Sequence, residues 1–232
     1  MWKTKLCLGI NDHSIALRRM EEWKKIGFEG FFIGWSRGTD LMPLREKADE
    51  LGLDFQSIHA PFGKADRLWK SGAEADDAVA ELIECLHVCA AVRVPIMVMH
   101  AFIGFRDHTP TPEGPRNFAK ILAEAEKCGV TVALENTEGE EYLAALMNAF
   151  PSHPNLGFVG TRGTRCATTA AGICSRCTAT VWSARTSTTI WASAILTATL
   201  HGQMTCTCSR LTESPTGTTL PTVSTRTATT AR

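Results

Sequence analysis

Residues 125–139, AEKCGVTVALENTEG, contain the pattern that decides the fold. A periodic helical segment ends before Gly129, a largely apolar run covers 130–134, and the run stops at Glu135. A glycine in this place supplies the left-handed residue that closes a helix, and a short run rich in Val and Leu predicts a buried strand. The stretch therefore predicts a helix followed by a strand that ends in a carboxylate.

The same alternation of helix and strand is repeated through the first 160 residues. Strands are predicted over 5–10, 30–35, 54–59, 95–102, 130–136 and 155–159, and helices over 14–26, 40–51, 73–92, 115–128 and 139–149. Alternating units of this kind favour a parallel sheet, and successive strands start about 25 to 41 residues apart, near the ~31 residues per unit of a complete barrel. We predict an α/β fold, a partial (β/α)₈ TIM barrel made of its first five to six βα units.

Composition and charge limit the partners. Residues 1–160 carry 17 Lys and Arg against 23 Asp and Glu, a net charge of −6, and residues 161–232 have a net charge of +6. Nucleic-acid binding depends on clustered Lys and Arg, so the acidic first part predicts a small-molecule partner and no nucleic acid. The N-terminal apolar run is too short for a signal peptide, and no stretch reaches the ~18 apolar residues of a membrane span, which predicts a cytoplasmic protein without a membrane partner.

The sequence changes character after Gly160. Thr accounts for 22 of the last 72 residues, and Asp, Asn, Lys, Phe and Tyr do not occur among them. We predict that residues 1–159 form an incomplete TIM-barrel domain and that residues 160–232 form a non-native, largely unstructured Thr-rich tail. A biological Thr-rich stalk is the alternative interpretation.

The codons that the tail requires suggest an origin for it. Read one nucleotide earlier, the codons for GTRGTR (160–165) permit Trp-Asp-Thr-Gly-His-Glu, and those for TSTTIWASAI (186–195) permit His-Leu-Asn-Asp-Asn-Leu-Gly-Ile-Ser-Asp. In the same frame MTCTCS (204–209) permits Asp-Asp-Leu-His-Leu-Leu. We hypothesise an insertion or deletion near codon 159 or 160, so that the tail is an out-of-frame translation.

Three predicted strands end in a polar residue that an apolar strand does not need: His59 in SIHAP, His100 in VMHAF and Glu135 in ALENTEG. The carboxyl ends of parallel barrel strands form one face, where residues from different strands converge. Imidazole and carboxylate ligands together suit Zn, Mn, Co or Mg. A lone strand-end His is also common as a structural residue, whereas a buried unpaired carboxylate is costly, so Glu135 is the strongest candidate.

Three segments of the chain, SIHAPFG (57–63), VMHAFIGF (98–105) and AEKCGVTVALENTEG, resemble the xylose isomerase-like sugar phosphate isomerase/epimerase superfamily, whose barrel is of the AP endonuclease family 2 type. The resemblance covers residues 1–159 and implies that Glu135 binds a metal and acts in proton transfer. It places His59 and His100 at the metal or the substrate.

Further residues are expected to contact the substrate. Asn136 follows the catalytic candidate directly. The loop 103–114, with Arg106, Asp107 and His108, is expected to lie over the mouth of the site, although a solvated Pro-rich loop is an equal alternative.

The resemblance implies a metal-dependent sugar or sugar-phosphate isomerase or epimerase that moves a proton through an enediolate. The superfamily's later ligands, an Asp and a His of a DTGH-like motif, a His of an HxND-like motif and a final Glu, are absent from the printed sequence. We therefore expect this chain to be inactive and not to retain its divalent metal (Mn, Mg, Co or Zn). The alternatives are an endonuclease IV-like phosphodiesterase, which needs basic DNA-contacting loops, and a non-catalytic ligand-binding module.

Overall fold

The structure is a computed structural model and describes residues 5–105 and 109–160. Within these residues strands and helices alternate along the chain. The strands are β1 (Cys7–Ile10), β2 (Gly30–Gly34), β3 (Asp54–His59), β4 (Ile96–His100), β5 (Thr131–Glu135) and β6 (Leu156–Val159). The helices are α1 (His13–Ile26), α2 (Met42–Leu51), α3 (Ala73–Ala91), α4 (Glu113–Cys128) and α5 (Glu140–Ala149), and a short 3₁₀ helix (Ala65–Trp69) precedes α3.

The strands form one parallel sheet in the order β1-β2-β3-β4-β5-β6. Every strand is joined to the next by a helix, which is the connection that parallel neighbours require. The arrangement confirms the predicted class, an α/β, TIM-barrel-like sheet built from consecutive βα units. The predictions made for residues 161–232 lie outside the described residues.

Local sequence explains where the helices begin and end. The side chain of Asp12 accepts hydrogen bonds from the backbone N–H groups of Ser14 (2.9 Å) and Ile15 (3.0 Å), and so caps the first turn of α1. Gly129 closes α4 with φ of 65°, in the left-handed conformation that the sequence pattern predicted. A residue with a side chain would be strained there, so α4 stops where β5 has to start.

The core lies between the sheet and the helices. Phe31 of β2 and Phe55 of β3 stack with ring centroids 4.5 Å apart, and both are almost completely buried. The helices contribute apolar faces; α4, for example, buries Phe118, Ile121, Leu122 and Ala125. Burial of such side chains, each worth about 1.5–3 kcal/mol when complete, holds the helices on the sheet and fixes the positions of the strand ends.

One element was not predicted, and several bounds differ from the predicted ones by one or two residues. The 3₁₀ helix was not predicted, because five residues are too few to show a hydrophobic period. Helix α4 begins at Glu113 and not at 115, so the last two residues of the predicted loop 103–114 are helical; Pro112 at the N-cap, with φ of −62°, is already helical in conformation. None of the helices that the structure describes is long and apolar enough to span a membrane.

Gly30→Ala is expected to destabilise the protein by about 1–3 kcal/mol, because an added Cβ overpacks the β2–β3 contact. That Cβ would lie 2.4 Å from the backbone oxygen of Asp54. Gly34→Ala is the matched control in the same strand, since its Cβ would meet nothing within 4 Å. Urea unfolding followed by far-ultraviolet circular dichroism compares the two variants, and an equal loss of stability at both positions would contradict the close approach at Gly30.

Candidate metal centre

His59, His100 and Glu135 are the last residues of β3, β4 and β5. In the sheet register His100 lies beside Glu135, and His59 lies beside Val98, two residues before His100. Side chains alternate between the faces of a sheet with a period of two residues. The register therefore directs all three side chains to the same face, at the carboxyl edge of neighbouring strands.

One oxygen of Glu135 is close to both imidazoles. Its Oε2 lies 3.1 Å from Nε2 of His59 and 3.3 Å from Nε2 of His100. The side chains of Glu135 and His100 are only 10% and 13% exposed. A buried carboxylate is stable only when a hydrogen-bond donor or a cation is paired with it.

The backbone determines which nitrogen of His59 carries the proton. Nδ1 of His59 lies 2.8 Å from the backbone oxygen of Ala60. A carbonyl oxygen only accepts, so Nδ1–H is the donor and the neutral ring has its lone pair on Nε2. That lone pair faces the carboxylate oxygen of Glu135, and two acceptors at this distance repel unless a proton or another cation lies between them. This orientation of a histidine by a carbonyl is typical of metal ligands.

His100 is held by a different contact. Its ring stacks on Phe62, with ring centroids 4.5 Å apart and an interplanar angle of 14°. Nδ1 of His100 is buried and has no hydrogen-bond partner among the described residues. Phe62 also contacts His59 edge-on and is 45% exposed, so it covers one side of the histidine pair while facing the solvent. Phe62 belongs to the SIHAPFG segment, but no role was predicted for it from the sequence.

The three residues are a chemically suitable set for a divalent cation. Their ligand atoms all lie within 4.8 Å of one another. With metal–ligand bonds of about 2.0–2.2 Å, two ligands of a tetrahedral ion are about 3.3 Å apart, close to the nitrogen–oxygen distances in this group. Two imidazoles and a carboxylate suit zinc, manganese or cobalt. The described residues thus fit part of a coordination shell, and three ligands leave positions open for other groups.

Lys64 lies near the site, and two carboxylates balance its positive charge. Lys64 and Glu81 line a small cavity together with His100. Nζ of Lys64 donates to Asp77 (2.7 Å) and to Glu81 (3.2 Å), and the hydrogen bond to Asp77 raises the pKa of Lys64 above its usual value. The positive charge of Lys64 is therefore directed to two carboxylates rather than to a substrate anion.

Of the other predicted site residues, the structure describes Asn136. Asn136 follows β5 directly and is half-buried, and its backbone N–H donates to the backbone oxygen of Val159 (3.3 Å). It therefore lies next to Glu135 at the same edge. Arg106 and His108, with Asp107 between them, lie outside the described residues.

A TIM-like parallel sheet with a histidine–carboxylate group at its carboxyl edge defines a class of barrel proteins, and the comparisons with known proteins identify the family. The model of the xylose isomerase-like TIM barrel family matches residues 20–159. The chain belongs to this family, which confirms the resemblance found in the sequence. The comparison with curated proteins gave no match.

Solved structures of similar fold include proteins with different names. A xylose isomerase domain protein from Planctomyces limnophilus has 18% sequence identity and a TM-score of 0.52, with 68% of this chain and 64% of that chain covered. The 3-keto-D-glucoside 4-epimerase YcjR from E. coli has 17% identity and a TM-score of 0.53, with 68% of each chain covered. An AP endonuclease of family 2 from Brucella melitensis has 14% identity and a TM-score of 0.54, with 67% and 68% covered.

At these identities the likeness concerns the fold alone. The chain spans less than two thirds of the length of the first of these structures. The names show that sugar epimerases and AP endonucleases share this fold, so the activity has to be argued from the site.

Proposed function

We propose that residues 5–160 carry part of the active site of a metal-dependent sugar or sugar-phosphate isomerase or epimerase. The observation that supports this proposal is the approach of both histidine Nε2 atoms to the same oxygen of Glu135, at 3.1 and 3.3 Å. The hydrogen bond from Nδ1 of His59 to Ala60 places the lone pair of the neutral ring on Nε2. That lone pair and the negative charge of Glu135 are what a divalent cation in this position would bind. In this proposal Mn, Mg, Co or Zn is the cofactor.

Each residue has a role that follows from its surroundings. His59 and His100 hold the cation through Nε2, with His59 oriented by Ala60 and His100 by Phe62. Glu135 binds the cation and takes the proton from the carbon next to the sugar carbonyl, since a buried carboxylate at the strand edge is placed for general-base work. When bound, a divalent cation would supply a Lewis acid beside the sugar carbonyl, where negative charge develops. Asn136, Arg106 and His108 are proposed to contact the substrate; for Arg106 and His108 this is a prediction from the sequence.

The chain as printed is expected to be inactive. Three ligands from β3, β4 and β5 are an incomplete shell, and the superfamily's later ligands are absent from the sequence. A cation is therefore held weakly, because metal affinity depends on the full set of deprotonated ligands. We propose that residues 1–159 are the incomplete barrel domain and that residues 160–232 are its out-of-frame continuation.

A sugar fits the described residues better than a nucleic acid does. Residues 1–160 have a net charge of −6, whereas a DNA-binding nuclease needs clustered Lys and Arg along the phosphate backbone. Phe62 offers an exposed aromatic face beside the histidine pair, on which the C–H face of a sugar ring can pack. The partner is therefore proposed to be a small sugar or sugar phosphate, and the cytoplasmic location stays a prediction from the sequence.

The proposal is tested with two versions of the gene, one as printed and one with the frame restored after codon 159. Each protein is incubated with Mn²⁺ and a panel of keto sugars in deuterated water. Solvent deuterium is expected at the carbon next to the carbonyl with the restored protein and not with the printed one, and nuclear magnetic resonance detects it. Nicking of abasic-site DNA without sugar exchange would favour the endonuclease. Sugar binding without exchange would favour a non-catalytic module, and a stop codon soon after the break would exclude the frameshift.

A further inference from the structure

A second group of potential metal ligands lies between two neighbouring helices. His87 belongs to α3, and Glu124 and Cys128 lie one turn apart on α4. Nε2 of His87 is 2.9 Å from Oε1 of Glu124, and the ligand atoms of the three residues lie within 4.8 Å of one another. The group brings together a nitrogen, an oxygen and a sulfur donor.

The group lies at the opposite end of the sheet from His59, His100 and Glu135. Cys128 is the last residue of α4 and precedes the start of β5 at Thr131 by three residues, while α3 ends at Ala91, shortly before the start of β4 at Ile96. The last turns of both helices are therefore beside the amino ends of the strands. An ion bound there is independent of the proposed function.

The local charges favour a cation. The carboxyl-terminal end of a helix carries a partial negative charge, and two parallel helices end close to this group. Hydrogen bonds from Lys127 and His87 hold the pKa of Glu124 below its usual value, so the carboxylate is charged at neutral pH. The negative charges around the three ligand atoms therefore favour the binding of a cation.

We propose that His87, Glu124 and Cys128 form a second metal site, which binds Zn²⁺ and links α3 to α4. The donor set selects the metal: a thiolate with an imidazole suits zinc, whereas magnesium, calcium and manganese prefer oxygen ligands. Binding releases the thiol proton of Cys128 to the solvent, and water completes the tetrahedral shell.

The side chains can reach the ion with small movements. Zinc bonds of about 2.0–2.3 Å place neighbouring donors about 3.3–3.6 Å apart, so the group has to close by up to about 1 Å. His87 is 56% exposed and therefore has room to move. Lys127 donates to Oε2 of Glu124 (2.7 Å) and leaves Oε1 on the side of His87.

Co²⁺ titration of the full chain tests the site, because a cobalt–thiolate bond gives a sulfur-to-metal charge-transfer band in the near ultraviolet. The band is expected in the parent chain and not in Cys128→Ser. His87→Ala, a change at an exposed side chain, is expected to lower the affinity for Co²⁺ about tenfold or more without altering the far-ultraviolet circular dichroism.

The control addresses the five thiols of the tail. Cys166, Cys174, Cys177, Cys206 and Cys208 belong to the tail, and a variant with serine at all five is expected to keep the band. A band that survives Cys128→Ser but disappears with the tail cysteines would overturn the proposal. Bound cobalt without any sulfur band, or an affinity unchanged by His87→Ala, would overturn it equally.

Discussion

Replacing Glu135 with glutamine in the frame-restored protein is expected to lower its affinity for Mn²⁺ by about 100-fold or more, since loss of a residue that only orients a ligand already costs about 10–100-fold. Glutamine keeps the size of the side chain but removes the negative charge of Glu135. Oε2 of that carboxylate lies 3.1 Å from Nε2 of His59 and 3.3 Å from Nε2 of His100. Manganese is the right probe because the group containing Cys128 does not suit it. Electron paramagnetic resonance of free Mn²⁺ measures the binding directly.

Glu138→Gln is the matched control. Glu138 lies three residues further along the chain, and its Oε1 accepts a hydrogen bond from the backbone N–H of Gly104 (3.2 Å), a contact that a glutamine oxygen can keep. Manganese binding is expected to be unchanged in this variant. Equal Mn²⁺ binding by the frame-restored protein with Glu135 and with Glu135→Gln would remove the metal centre at the carboxyl edge from consideration.

Trp69→Ala is expected to have the largest effect on stability, about 3–5 kcal/mol. The indole is 4% exposed and contacts the rings of Tyr142 and Phe118, with centroids 4.6 and 6.3 Å away. Its Nε1–H also donates to the backbone oxygen of Ala101 (2.8 Å), the residue that follows His100. The alanine variant loses packing and leaves a buried carbonyl without its donor. Resistance to brief proteolysis across a urea series measures the loss.

Trp69→Phe separates the two contributions. Phenylalanine keeps most of the ring contacts but cannot donate to Ala101, so a loss of about 1–3 kcal/mol is expected from the unsatisfied carbonyl. The difference between the two variants then reports the packing of the 3₁₀ helix against α4 and α5. Similar losses in both variants would mean that the hydrogen bond, and not the packing, dominates at this position.

The fold could be predicted because every unit repeats the same local pattern. The observed strands lie within the predicted ranges, and His59, His100 and Glu135 each end a strand, as the sequence indicated. The pattern was sufficient because apolar runs, helix-closing glycines and strand-end polar residues are all local features. The topology then followed from the right-handed parallel connections that helices between strands impose.

The details of the site could not be predicted in the same way. The stacking of Phe62 on His100 and the contact between His59 and Ala60 depend on side-chain rotamers and on the register of β3 against β4. The approach of His87 to Glu124 depends on how α3 and α4 are rotated against each other. A hydrophobic period shows which face of a helix is buried, but not which polar residues at its margin meet those of a neighbour.

The strictly sequential strand order also bears on synthesis. Each described strand after β1 pairs with the strand made just before it, so a chain leaving the ribosome always meets a partner that has already been released. His59, His100 and Glu135 are therefore all synthesised before codon 160 is translated. The nascent protein can assemble this part of the site whichever frame the ribosome follows afterwards.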